Sequence, residues 1–183
     1  MFKVKMNSRS IAYMALFVAL QVVLEFVFKI IPGQPQGGSI TLSLLPIFLA
    51  AYLMGPGYGL IVGVVSAAIQ FVLGIALYYG PWSVMLDYVV PLSIIAVAPL
   101  FKSIPFGNGK EFHIGIIIGM ILKYISHVLS GALLFGMYAP EGMNPWVYSL
   151  GYNAFYNIGT CIVTLVVFTM IYPRLKNAIK FQK

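Results

Sequence analysis

The chain has 183 residues, of which 61% are hydrophobic and only 8% charged. A soluble domain carries about 25% charged residues; this composition excludes one and places residues 1–183, as one domain, in a bilayer. The net charge of +7 would suit nucleic acid, but no nucleic-acid role is expected, because the basic residues gather at the ends of apolar segments, where they report topology.

In chain order, six apolar segments emerge, measured against the ~20 residues that cross a bilayer. The first, Ser8–Ile31, is too long for a signal peptide and lacks a small-residue cleavage site, so it is expected to stay as a span. On it Ala15 and Ala19 form a small-residue notch that lets another helix approach closely. Glu25 and Lys29, one helical turn apart, read as an interfacial ion pair. The connector Gln34-Pro35-Gln36-Gly37-Gly38-Ser39 is polar and flexible; by composition alone it is an ordinary connection, and a lid that closes over a ligand would need such a loop. The second segment, Ile40–Met54, is short and flanked by glycines, as a half-length or strongly buried helix would be. The third, Tyr58–Leu77, offers further notches at Gly59/Gly63 and Ser66/Ala67. Trp82–Phe101, His113–Met137 and Trp146–Tyr172 follow, separated by stretches of turn chemistry such as Gly80-Pro81 and Pro140-Glu141-Gly142. The runs are continuous rather than alternating, so strands are not expected, and the fold class is an all-α bundle of six transmembrane helices.

Lys3, Lys5 and Arg9 precede the first segment, Lys102 and Lys110 lie between the fourth and fifth, and Arg174, Lys176, Lys180 and Lys183 follow the sixth. With six spans, nine of the eleven basic residues share one face. The positive-inside rule makes that face, and both termini, cytoplasmic.

Against this background Asp87 stands out, since a carboxylate at the centre of a span costs about 2.5–3.5 kcal/mol on insertion scales. It lies five residues into the fourth segment, roughly 8 Å along the helix at 1.5 Å per residue. His127 lies ten residues before the outer end of the fifth, roughly 15 Å by the same rise. Tyr148 and Asn153 begin the sixth, so all four can meet in the outer half of the membrane. Aromatic residues surround them: Tyr78, Tyr79, Tyr88, Phe135, and Tyr148, Tyr152 and Tyr156 at helical spacing. Such faces hold a flat ring or a cation. For Tyr78, Tyr79 and Trp82 an interface belt is the simpler reading, with Tyr78 also a candidate contact. Asn157 reads as interhelical glue. Lys123 either pairs with Asp87 or meets a partner.

Neither a Walker loop nor a Gly-x-Ser-x-Gly or His-Glu-x-x-His motif occurs. No catalytic residue and no metal site is therefore assigned, and the chain is not expected to be an enzyme. Cys161, the single cysteine, leaves no internal disulfide.

Pro35-Gln36-Gly37-Gly38-Ser39, Leu86-Asp87-Tyr88, the run from Lys123 to Gly131 and Tyr148-Ser149-Leu150-Gly151-Tyr152-Asn153 together resemble the thiamine-specific substrate-binding subunit of energy-coupling factor (ECF) transporters, over essentially the whole chain. The resemblance implies a bacterial plasma-membrane protein that captures thiamine from outside. It implies a membrane coupling protein and two cytoplasmic ATPases as partners, with ATP used by those subunits and no cofactor in this chain. It implies thiamine contacts from Asp87, Tyr88, His127, Gly131, Phe135, Tyr148 and Asn153. It makes Ala15 and Ala19 the docking notch for the coupling protein, and Gln34, Gln36, Gly37, Gly38 and Ser39 are expected to close over the ligand as a lid. Phe135 stands where some members carry a ring-stacking tryptophan, and Asp87 is shorter than the glutamate of others. Other readings stay open: another vitamin or a thiamine precursor as ligand, a proton-coupled transporter working alone, or a structural protein.

Overall fold

The computed structural model describes residues 2–27, 29–31, 33–35, 37–105 and 111–179. Helix α1 runs Ser8–Val27, α2 Leu45–Met54, α3 Pro56–Val72, α4 Pro81–Leu100, α5 Ile114–Leu133 and α6 Pro145–Ala178. Four of these, α1, α4, α5 and α6, are long and apolar enough to cross a membrane, while α2 and α3 are shorter apolar helices. At 34 residues, α6 is roughly 51 Å long at 1.5 Å per residue, so it outruns a hydrocarbon core of about 30 Å.

Local chemistry sets the helix ends. Gly55, at φ 120°, separates α2 from Pro56, which opens α3, and Gly80, at φ 103°, precedes Pro81 at the start of α4. Proline suits the first turn because its missing N–H has no partner there anyway. Asn144 caps α6, its side chain accepting from the Trp146 N–H at 2.8 Å.

Two expectations need correction. Strands occur: β1 (Lys29–Ile31) pairs antiparallel with β2 (Ile40–Thr41), and β3 (Ile104–Pro105) with β4 (Glu111–Phe112). They are short ladders beyond helix ends, where the backbone leaves the helix and its polar groups still need partners. Accordingly the first apolar segment is helical only to Val27. The third and fifth segments also end early as helices, at Val72 and Leu133, while α6 continues past Tyr172 to Ala178.

Nine of the ten residues of α2 are buried, which matches a short, strongly buried helix. Around it lies a core that includes Ile47, Phe48, Ile95, Ile116 and Phe168, all fully buried. Small residues permit this packing: a methyl at Gly63 would collide with the Leu92 backbone on α4, and one at Gly115 with the Ala98 carbonyl. The outward faces are apolar, as Ile11, Leu16, Leu20 and Val23 on α1 and Ile158, Ile162, Val166 and Met170 on α6 illustrate. That is the surface expected of a bundle solvated by lipid.

Helix α4 is irregular where the chemistry sits. Val84–Val89, which includes Asp87, is π-helical, and Ile95–Leu100 is a 3-10 stretch. Pro91 has no N–H to return to the Asp87 carbonyl four residues back, and the helix widens just before it. Hydroxyls take up nearby carbonyls: Ser126 donates to Leu86 O at 2.7 Å and Ser93 to Val89 O at 2.6 Å.

Candidate ligand-binding site

A cavity of about 290 Å³ opens between the start of α4, the end of α5, the start of α6 and the Gly37–Ser39 connector. Of the residues singled out in the sequence, Asp87, Tyr88, His127, Gly131, Phe135, Tyr148 and Asn153 all line it, as do Gly37, Gly38 and Ser39. Tyr78 does not; it is 68% exposed, and Tyr79 lines the wall instead, its ring edge-on to Phe135 at 5.3 Å. Gln34 does not line the cavity but braces its edge, its N–H donating to Gly38 O at 2.9 Å. Gln36 lies outside the described residues. Ala15 and Ala19 are exposed on the outer face of α1.

Asp87 accepts from the Ser83 hydroxyl, one turn earlier, at 2.7 Å. No ion pair joins it to Lys123: among the described residues the one salt bridge is Lys176–Glu111, at 4.0 Å. Lys123 instead donates to Asn157 Oδ1 at 2.9 Å and lies 5.3 Å from the centre of the Tyr156 ring. The buried ammonium is thus held by a neutral amide and an aromatic face on α6. Asn157, which also donates to Asn153 O at 2.8 Å, ties α5 to α6.

Tyr156 organises the polar wall. Its hydroxyl donates to Asn153 Oδ1 at 2.5 Å and is also hydrogen-bonded to His127 Nδ1. Asn153 Nδ2 is itself a donor, to Ser149 O at 2.9 Å, which leaves Oδ1 as the acceptor. Having spent its proton on Asn153, the tyrosine oxygen accepts from His127, so Nδ1 carries the imidazole proton. On that pairing His127 Nε2 carries the lone pair; it is buried, makes no hydrogen bond among the described residues, and has the Asp87 carbonyl as a backbone neighbour. Gly131 lets α5 and α6 close up, for a methyl there would collide with Ser149 Oγ and sit 3.1 Å from Asn153 Nδ2.

The connector is held over this wall. Tyr152 donates to Gly37 O at 2.9 Å, and Thr160 to Ser39 O at 3.4 Å. Gly38, at φ 89°, lies flat against Tyr156, where an added methyl would stand 2.5 Å from a ring carbon. On the far side Tyr88 accepts from the Leu77 N–H at 3.0 Å and packs on Phe71 at 4.8 Å, which fixes the α3–α4 connection.

Sequence reasoning missed Glu25, Gln70, Ser83 and Thr160, which also line the cavity, and the pivotal position of Tyr156. A carboxylate inside the first span was the available signal for Glu25, but Lys29 nearby supplied a simpler partner. The Lys29 side chain lies outside what the structure describes, as do Lys110, Lys180 and Lys183.

Among the described residues an apolar helical bundle carries a polar, aromatic-walled cavity near one end, the architecture of a membrane-embedded protein with room for a small molecule. Residues 11–180 match the family described as thiamine transporter protein (Thia_YuaJ), and the chain belongs to that family. It is 32% identical over 178 residues to the thiamine transporter ThiT of Bacillus subtilis, covering 92% of this chain and 93% of that one. A shorter match, 45% over 53 residues, joins it to thiamine transporter ThiT of Lacticaseibacillus paracasei, over 29% of this chain and 26% of that one. Its fold matches that of ThiT from Listeria monocytogenes with a TM-score of 0.75 at 22% identity, over 93% of this chain and 99% of that one. It also matches the S component of a bacterial ECF transporter with a TM-score of 0.67 at 24% identity, over 96% of this chain and all of that one. The chain is therefore a helical membrane protein of a transporter family, not of an enzyme family.

Proposed function

We propose that this chain is the high-affinity thiamine-binding subunit of an ECF importer. It spans the bacterial plasma membrane six times with both ends cytoplasmic, captures thiamine from outside and delivers it with a membrane coupling protein and two ATPases. The observation that carries this reading is the cavity itself. Thiamine combines a permanent thiazolium cation with a flat aminopyrimidine, and the cavity offers Asp87 for the cation, aromatic faces for both rings, and His127 Nε2 with Asn153 and Tyr148 for the ring nitrogens and amine. The Gly37–Ser39 connector, hydrogen-bonded across the mouth, acts as the lid. Ala15 and Ala19, exposed on α1 and surrounded by apolar residues, form the docking face for the coupling protein.

The test is a thiamine titration of the detergent-purified chain, followed by quenching of Trp82 and Trp146, which flank the cavity residues Ser83 and Tyr148. Saturable binding is expected, weakened in Asp87→Asn by about 1–3 kcal/mol, the cost of a buried polar partner left unsatisfied. A folded chain that bound no thiamine, or uptake that persisted without an ATPase module, would refute the reading.

A further inference from the structure

Glu25, near the C-terminal end of α1, is half-buried and lines the same cavity as Asp87 and Lys123. Among the described side chains no cation lies within 4.0 Å of either carboxylate. Lys123 spends its hydrogen bond on Asn157 and its charge on the face of Tyr156. In formal charge the described side chains of the cavity are Asp87 and Glu25 at −1 each and Lys123 at +1, with His127 neutral, for a sum of −1. Without Glu25 the formal sum over the same described side chains is zero. A cavity with no net charge has little pull on a cation beyond contact distance, whereas one with a net charge of −1 attracts it across the whole space.

We propose that Glu25 is the specificity-determining charge of this site: it makes the cavity anionic by one unit and so selects a monocation over a neutral molecule of the same shape. The group comes from α1, the helix that also carries the outward Ala15/Ala19 face, so the bound cation is held partly by that helix. Asp87 contacts the cation, and Glu25 supplies the charge left over once Lys123 is counted among the described side chains.

This role rests on the thiamine reading above, and a paired titration separates the two. The purified chain is titrated with thiamine and with its uncharged isostere, in which a neutral aromatic five-membered ring replaces the thiazolium. One unit charge acting across such a cavity, at an effective dielectric of about 20, changes affinity by about tenfold or more. Glu25→Gln is expected to lose at least that factor for thiamine and to stay within about twofold for the isostere. Glu25→Asp, which keeps the charge, is expected to retain most of the preference, and Glu25→Ala repeats the comparison should Glu25→Gln not fold. Equal losses for both ligands would make Glu25 a structural residue and overturn the proposal, as would unchanged thiamine affinity in Glu25→Gln. A wild-type chain that bound neither ligand would overturn the thiamine reading, and this role with it.

Discussion

Tyr156→Phe removes one oxygen and leaves the ring. The aromatic face beneath Lys123 and against Gly38 survives, so the change isolates the hydroxyl. That hydroxyl is buried and bridges two groups, donating to Asn153 Oδ1 at 2.5 Å and accepting from His127 Nδ1. Its loss leaves a buried acceptor and a buried donor unpaired, each costing about 1–3 kcal/mol. The imidazole can relieve its share by moving its proton to Nε2, but that turns an unpartnered acceptor of the polar wall into a donor. Thiamine, whose amine needs an acceptor, then meets the wrong group. The expected result is a loss of stability of about 1–3 kcal/mol, read as a lower melting temperature in detergent, together with about a 10- to 100-fold weaker thiamine affinity. Tryptophan quenching measures the affinity and circular dichroism the melt. Lower stability with unchanged affinity would show that the tautomer of His127 has no bearing on the ligand. No change in either would refute the hydrogen-bond assignment itself.

Other outcomes follow from the same geometry. Gly38→Ala forces a left-handed backbone on a residue with a side chain, at about 1–2 kcal/mol, and drives a methyl into Tyr156; thiamine should dissociate roughly 5–30-fold faster in a chase experiment, and an unchanged off-rate would remove the connector from the closed site. Replacing Ala15 and Ala19 by leucine changes only the exposed face of α1, so purified protein should bind thiamine normally while uptake by cells carrying the full transporter falls; normal uptake would move the docking face elsewhere. Lys123→Met strands Asn157 Oδ1 and should destabilise the chain by about 1–3 kcal/mol, most of it recovered when Asn157→Leu is added, since removing both partners of a buried hydrogen bond is far cheaper than removing one. A double variant no more stable than Lys123→Met would count against that pairing, and chemical denaturation in detergent measures it.

Asp87, His127, Tyr148 and Asn153 were legible as a group because depth along a helix depends only on rise per residue and on which end is outside. The six segments were legible because hydrocarbon demands length and apolarity of whatever lies in it. The short second segment could be read as half-length or strongly buried from its length and flanking glycines, and it is buried. The ladders β1–β2 and β3–β4 were not legible: two or three residues carry no period, and a membrane helix continued by a short apolar strand looks like one longer helix.

Tertiary structure alone decided azimuth. In a soluble helix the polar residues mark the outward face, but here lipid and core are equally apolar, so composition does not say which side of a helix looks inward. The rotation of α6 made Tyr156 the hub of the polar wall and brought Asn157 to Lys123, leaving that lysine with no ion pair to Asp87. The early end of α3 turned Tyr78 outward and Tyr79 into the wall. The rotation of α1 likewise pointed Glu25 into the cavity while keeping Ala15 and Ala19 on the outer face. Sequence by itself determined the class, the apolar segments and the positions of the ionisable groups along them, because covalent geometry and the thickness of the bilayer act along the helix axis. Which groups face one another is settled around that axis, by side-chain packing between helices, and only the folded bundle specifies it.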